Sequence, residues 1–335
     1  MTPNHLWIAG LILSFMAGAA LLGAEETKET FGCEANPTGD PMGGGAGYRD
    51  IKTTGDFVVK TKDELLAALK AAKPGQVIFT PDGVEMDLTG QTGVYLPQGV
   101  TLAGTRGLNG SLGARLFTTD RTTYPLFRTG GYGVRLTGLR FEGPFGERGR
   151  VPHYSCFFTI SHPNVEVDNC EVYNWNTAGI EAVRGAAKVR VHHCYIHHCQ
   201  QDGMGYGVVM SECDVYIIAN IFDWCRHNIA SGGGPGSAYE AAWNLVRPNT
   251  QSYHFDVHGG RDRGDGTEIA SDWVDIHHNT FEGPARAVWI SGVPSQGGEV
   301  HHNWFHSESL EKAVKAEANT RVYRNAIGPE KKLTE

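Results

Sequence analysis

Between Ser252 and Gly260 the chain reads SYHFDVHGG, with His254, Asp256 and His258 at alternate positions. Imidazoles and a carboxylate can hold a metal, move a proton or simply face water, and their spacing in the fold decides among these. On a helix, histidines four apart share a face and suit zinc. On a strand, alternate residues share a face. His254 and His258 would then lie ~13 Å apart, too far for zinc bonds of ~2.0–2.1 Å to close on one ion. Upstream stand Arg226, His227 and Tyr239, and the nearby carboxylates are Glu181, Asp202, Glu240 and Asp256. A guanidinium can pair bidentately with a substrate carboxylate. An imidazole titrates near neutral pH and can serve as a base, and a phenol can serve as an acid.

The elements that must position these groups are set by a repeat. VRLTGLRF starts at Val134, VEVDNCEV at Val165, VRVHHCYI at Val189, VYIIANIF at Val215, EAAWNLV at Glu240 and VDIHHNTF at Val274, and GEVHHNWF and TRVYRNAI close at Phe305 and Ile327. Each carries one fixed position, occupied in turn by Leu139, Cys170, Cys194, Asn220, Asn244, Asn279, Asn303 and Asn325. The steps are 31, 24, 26, 24, 35, 24 and 22 residues. That period is too short for the common helical repeats and for propeller blades, and the leucine-rich pattern is missing. It fits a parallel β-helix, whose coils stack at ~4.8 Å. The recurring Asn then forms a ladder at a bend, its amide satisfying backbone groups there. Cys170 and Cys194 share that ladder position, and Cys199 and Cys225 form a second stacked pair. They are expected as buried thiols acting as small apolar residues.

Residues 61–73, TKDELLAALKAAK, predict an amphipathic helix with Thr61 as its cap, Glu64 at N3 and Pro74 past its end. It would cover the open first coil. With KPGQVIF, GVTLAG and the VxIxxNxF coils that follow, the chain resembles the right-handed parallel β-helix proteins of the pectate-lyase-like superfamily over roughly residues 58–327. The resemblance implies an all-β fold with an N-terminal capping helix. Its members include lyases, hydrolases, epimerases, esterases and adhesins, so it implies no single activity. No clear aspartate cluster for calcium with a following arginine is present, and no catalytic residue is carried over.

In such coils the short strands after the Asn bend align as GIEAV, GMGYG, NIASG, HFDVH, AVWIS and AVKAE. Alternation predicts an outward row of Glu181, Gly205, Ala230, Asp256, Trp289 and Lys315, with His254 and His258 also facing out. Glycines here leave room for a ligand near the backbone. The candidate catalytic residues are His254, His227, Arg226, Tyr239, Asp256 and His258. The candidate substrate-binding residues are Trp289, Glu181, Asp202, Glu240 and Lys315. Asp256 is also the one candidate metal ligand, for a divalent cation such as calcium. The pairs His192/His193, His277/His278 and His301/His302 fall at one coil offset beside the ladder and are read as turn residues. Arg263-Gly264-Asp265 is a common tripeptide and lacks the EF-hand spacing.

Two chemistries remain open. β-Elimination from a uronate chain needs a neutralised carboxylate, a base and an acid, and Arg226, His227 or His254, and Tyr239 match those needs. Glycoside hydrolysis needs carboxylates ~5–5.5 or ~6.5–9.5 Å apart. Glu181 and Asp256, three coils apart at ~4.8 Å each, are too distant, and Asp202 is near the upper limit. A polysaccharide lyase is the favoured reading, with a hydrolase or a non-catalytic glycan-binding surface protein as alternatives.

The net charge of −8 and pI near 6.0 argue against nucleic acid as a partner. The first 24 residues carry no Lys, Arg, Asp or Glu, and residues 6–22 are almost wholly apolar. They read as a signal peptide or an N-terminal anchor, followed by a poorly ordered or loop-rich extension over 25–57. The folded part is therefore expected outside the cytoplasm: secreted, periplasmic or at the cell surface. A monomer with a short tail over 328–335 is expected.

Overall fold

The structure is a computed structural model that describes residues 29–335. The apolar leader over 1–24 lies outside the described residues. Within them no helix is long and apolar enough to cross a membrane.

Three sheets wrap around one apolar column. The first and second have eleven strands each and the third has nine. One full coil reads Val189–His192, Tyr195–His197 and Tyr206–Met210, one strand to each sheet. Neighbouring coils pair in parallel throughout, except for a closing antiparallel pair of Ala326–Ile327 with Lys332–Leu333. This is the expected all-β parallel β-helix.

Side chains at one coil position stack on their counterparts in the next. Val167, Val191, Ile217, Ala241 and Ile276 form one inward file on the first sheet. Val172, Ile196, Phe222, Val246 and Phe281 form another on the second. Phe158, Ile180, Val208, Ile229 and Phe255 form the third. All of these are buried, and each large one contributes on the order of 1.5–3 kcal/mol.

The bend between the first and second sheets repeats one device. The residue before each ladder position is left-handed: Asn169, His193, Ala219, Trp243, His278, His302 and Arg324 have φ of 47–54°. The ladder itself begins at Asn220. Its Nδ2 donates to Asn244 Oδ1 at 3.0 Å, Asn244 to Asn279 at 2.9 Å, Asn279 to Asn303 at 2.9 Å, and Asn303 to Asn325 at 3.1 Å. Each amide also donates to a backbone carbonyl, as Asn244 does to Ile217. All seven cysteines are buried free thiols.

The helix spans Lys62–Ala71 with the full capping box of Thr61 and Glu64, and buries Leu65, Ala68 and Leu69 against the first coils. Residues 29–51 run back along the row of bends before the chain enters its first coil. Gly32 N donates to His302 O, Gly43 N to Ala219 O, and Gly45 N to Asn169 Oδ1, while Tyr48 donates to Asp168 at 2.9 Å. Gly44 sits so close to this ridge that a Cβ there would lie 2.4 Å from His193 O.

Candidate active site

The outward row of the third sheet is fixed by register. Arg128, Thr159, Glu181, Val209, Ala230, Asp256, Trp289 and Lys315 occupy one position on successive coils. The row differs from the sequence expectation at one place. Val209, not Gly205, stands between Glu181 and Ala230, because the strand is Tyr206–Met210 and residues 199–205 form the preceding turn.

Asp256 is the centre of this row. It is 5% exposed, and its Oδ2 lies 3.1 Å from His258 Nε2 and 3.5 Å from His227 Nε2. Accepting from His258 Nε2 leaves that ring's Nδ1 as the free acceptor, and His258 is the more exposed partner of the pair. The hydrogen bond to Asp256, opposed by burial, raises the His258 pKa above 6.5. His227 is almost fully buried and its Nδ1 donates to Tyr253 O at 2.7 Å. Burial pushes it down to about 4, against the pull of Asp256 and with the help of Arg226. Its Nε2 is thus a neutral acceptor turned towards a carboxylate, and it has no protein hydrogen-bond partner.

Tyr206 stacks on His227 at 5.9 Å between centroids and 10° between planes. Burial raises its phenol pKa, so the hydroxyl keeps its proton at neutral pH. Sequence reasoning missed Tyr206 through the misplaced strand. The short apolar run GVVM after it is the signal that would have found it. Arg226 precedes His227, is partly exposed, and reaches Met204 O at 3.4 Å. Met204 lines a cleft of about 510 Å³ together with Tyr124, Tyr154 and Thr177. Tyr124 donates to Glu181 at 2.9 Å, so the cleft opens onto the outward row.

Several expected residues lie elsewhere. His254 faces inward, fully buried, with Nδ1 3.1 Å from Asn228 Nδ2 and its ring 5.7 Å from that of Phe281. The reason is the corner before the strand. Ladder pairing starts only at Phe255, so strict alternation does not reach back to His254. Burial holds its pKa down near 3. Tyr239 also points into the core, from strand Ala238–Ala242 of the first sheet rather than from a covering loop. Glu240 follows it on that same sheet and pairs with His277 at 3.1 Å, a whole face away from Asp256. Asp202 is exposed in the turn after Gln201. Glu181 is on the row but three coils from Asp256, with Val209 and Ala230 between.

Trp289 stacks with Tyr253 at 4.5 Å, and Lys315 Nζ lies 4.1 Å from its ring centroid. Its ring is therefore already taken up by protein partners. Arg263 of the RGD tripeptide donates to Gly232 O, His258 O and Ile269 O, so it pins its own loop.

For calcium, which takes six to eight oxygens, Asp256 offers one carboxylate flanked by two imidazoles, and the donor set does not fit. Among the described residues, one trio of ligand atoms lies within 4.8 Å: Glu166, Asp168 and His192. Arg135 already fills it, with Nε 2.7 Å and Nη2 2.8 Å from the two Asp168 oxygens, and Thr137 and Tyr48 also donate to Asp168.

A family model described as right handed beta helix region matches residues 127–327. No curated protein matches the chain. Among solved structures, an alginate lyase from Paenibacillus sp. str. FPU-7 is similar at 14% identity and a TM-score of 0.48, over 81% of this chain and 97% of that one. The A-module of the Azotobacter vinelandii mannuronan C-5 epimerase AlgE6 is similar at 12% identity and a TM-score of 0.49, over 78% of this chain and 84% of that one. No site residue is carried over from either.

Proposed function

The chain belongs to the right-handed β-helix family, and on that scaffold we propose an exported enzyme that cleaves uronate-containing polysaccharide by β-elimination. The observation that carries this reading is the pairing of buried Asp256 with His258, in a row that Tyr206 and Arg226 flank two coils and one coil earlier.

A base–acid pair and a cation are what the reaction requires. Arg226 pairs with the uronate carboxylate, so the negative charge that builds up when C5 loses its proton is stabilised. His258, oriented by Asp256 through Nε2, takes the C5 proton at Nδ1. The C5–H electrons form the C4–C5 double bond as the C4–O bond breaks. Tyr206 gives its phenolic proton to the departing oxygen. His227 does not touch substrate in this scheme; it supports the ring of Tyr206 and borders Asp256.

A hydrolytic pair is not present on the row, since no second carboxylate lies within two coils of Asp256. The deciding assay follows ultraviolet absorbance of the purified chain with a panel of uronate polysaccharides, with and without EDTA. Rising absorbance marks the unsaturated product and supports the lyase. New reducing ends without absorbance mean hydrolysis and overturn it. Binding without either product leaves a non-catalytic glycan-binding protein.

A further inference from the structure

The outward row of the third sheet extends well past the candidate active site. From Asp256 its register runs back through Ala230, Val209, Glu181 and Thr159 to Arg128, and then to Tyr95 on strand Val94–Leu96. At ~4.8 Å per coil, Arg128 lies ~24 Å and Tyr95 ~29 Å from Asp256. In the other direction the row ends with Trp289 and Lys315, only ~10 Å away. Asp256 therefore stands near one end of its own row.

Tyr95 and Arg128 are both exposed, Tyr95 to 64%. A Cβ on Gly93 would lie 3.5 Å from Arg128 Nε, so this side chain leans across the residue two before Tyr95 and shares its face. Arg115, Arg135, Arg184 and Arg190 each pair with a carboxylate. Among the described residues no carboxylate pairs with Arg128. Tyr124, at the mouth of the cleft, is close enough to feel that charge: burial raises its phenol pKa, and Arg128 opposes the rise. Between the two ends, Val209 and Ala230 form a low floor. Glu181 there accepts from Tyr124 and Thr159, each at 2.9 Å. Cations flank the row only at its ends, with Arg226 and Lys315 near Asp256 and Arg128 far from it.

An exposed phenol and an unpaired guanidinium on neighbouring coils match an acidic sugar. The C–H face of the ring packs on the aromatic, and the carboxylate takes the guanidinium fork. We propose that Tyr95 and Arg128 form a remote subsite that holds a uronate about five sugar units from the bond that is cut, since a 1,4-linked sugar advances by about one coil. The subsite rests on the polysaccharide reading above and makes the enzyme selective for long anionic chains, with most of the binding on the side towards the capping helix.

The test uses the full chain with trimers and octamers of mannuronate, guluronate and galacturonate, followed by ultraviolet absorbance and, where none is cleaved, by calorimetry. Octamers should show the higher kcat/KM. Tyr95→Ala/Arg128→Ala should lower kcat/KM for the octamer about ten-fold or more, through KM, because a charged hydrogen bond is lost. Trimer kinetics and the melting temperature should not change, since both side chains are exposed. Octamer binding without cleavage, lost in the variant, keeps the subsite and removes the lyase. An octamer that the variant handles as the wild type does overturns the subsite, and so does an octamer that the wild type neither cleaves nor binds.

Discussion

The Oδ2 atom of Asp256 stands 3.1 Å from His258 Nε2, which it bonds, and 3.5 Å from His227 Nε2, which it does not, so one buried carboxylate borders two imidazoles with opposite shifts. His258, partly exposed and bonded, is raised above 6.5. His227, enclosed, is lowered to about 4.

Asp256→Asn should therefore lower the His258 pKa towards its ordinary value. If His258 is the base, it acts once deprotonated, so the acid limb of kcat/KM should move to lower pH in the variant. The rate should fall on the order of 10²–10⁴-fold, because the ring loses its orientation. Nuclear magnetic resonance titration of the His258 ring checks the first part. An unmoved titration would remove Asp256 from this role.

His254→Ala and His258→Ala should separate fold from site. The first leaves a cavity and strips Asn228 of one of its two partners, and should cost about 2–4 kcal/mol in denaturant unfolding. The second removes a partly exposed ring and should change stability by about 0.5 kcal/mol or less, while abolishing activity. Equal stability of the two variants would contradict the inward placement of His254.

Acid should destabilise the chain before its carboxylates titrate. His227, His254 and His278 are held neutral by burial, with pKa values lowered to about 4, 3 and 4. The unfolded chain takes up these protons below pH ~6.5 while the folded chain refuses them, so stability is lost as pH falls from ~6.5 towards 4. His258 works the other way: its contribution is complete below ~6.5 and is lost as pH rises through its raised folded value. Urea midpoints between pH 7 and 4 check the balance. A midpoint that stays level, or rises on acidification, would show that these rings are not held neutral.

Asn279→Ala should cost more than a surface change, about 2–4 kcal/mol. Its amide donates to Asn303 Oδ1 and Ala241 O, and its oxygen accepts from both nitrogens of Asn244. Removing it breaks the ladder in its middle and orphans groups on both sides. Circular dichroism melts compared with Thr61→Ala, expected to cost about 0.5–2 kcal/mol, would show whether the ladder outranks the helix cap.

The sequence by itself determined the repeat, the coil boundaries near the ladder, the asparagine file from Asn220 to Asn325 and the capped helix at Lys62–Ala71. These depend on local chemistry that recurs every 22–35 residues, and recurrence is visible without coordinates. It also placed Asp256, Trp289 and Lys315 on one outward row, because alternation holds inside a strand. Only the tertiary structure decided the orientation of His254, the burial of Tyr239, the removal of Glu240 to another face, and the entry of Tyr206 beside His227. Each of these turns on where a corner falls. At a corner, alternation restarts, and the length of the turn sets which residue is first to point outward. Turn length is the variable part of the repeat, and the packing of neighbouring coils fixes it.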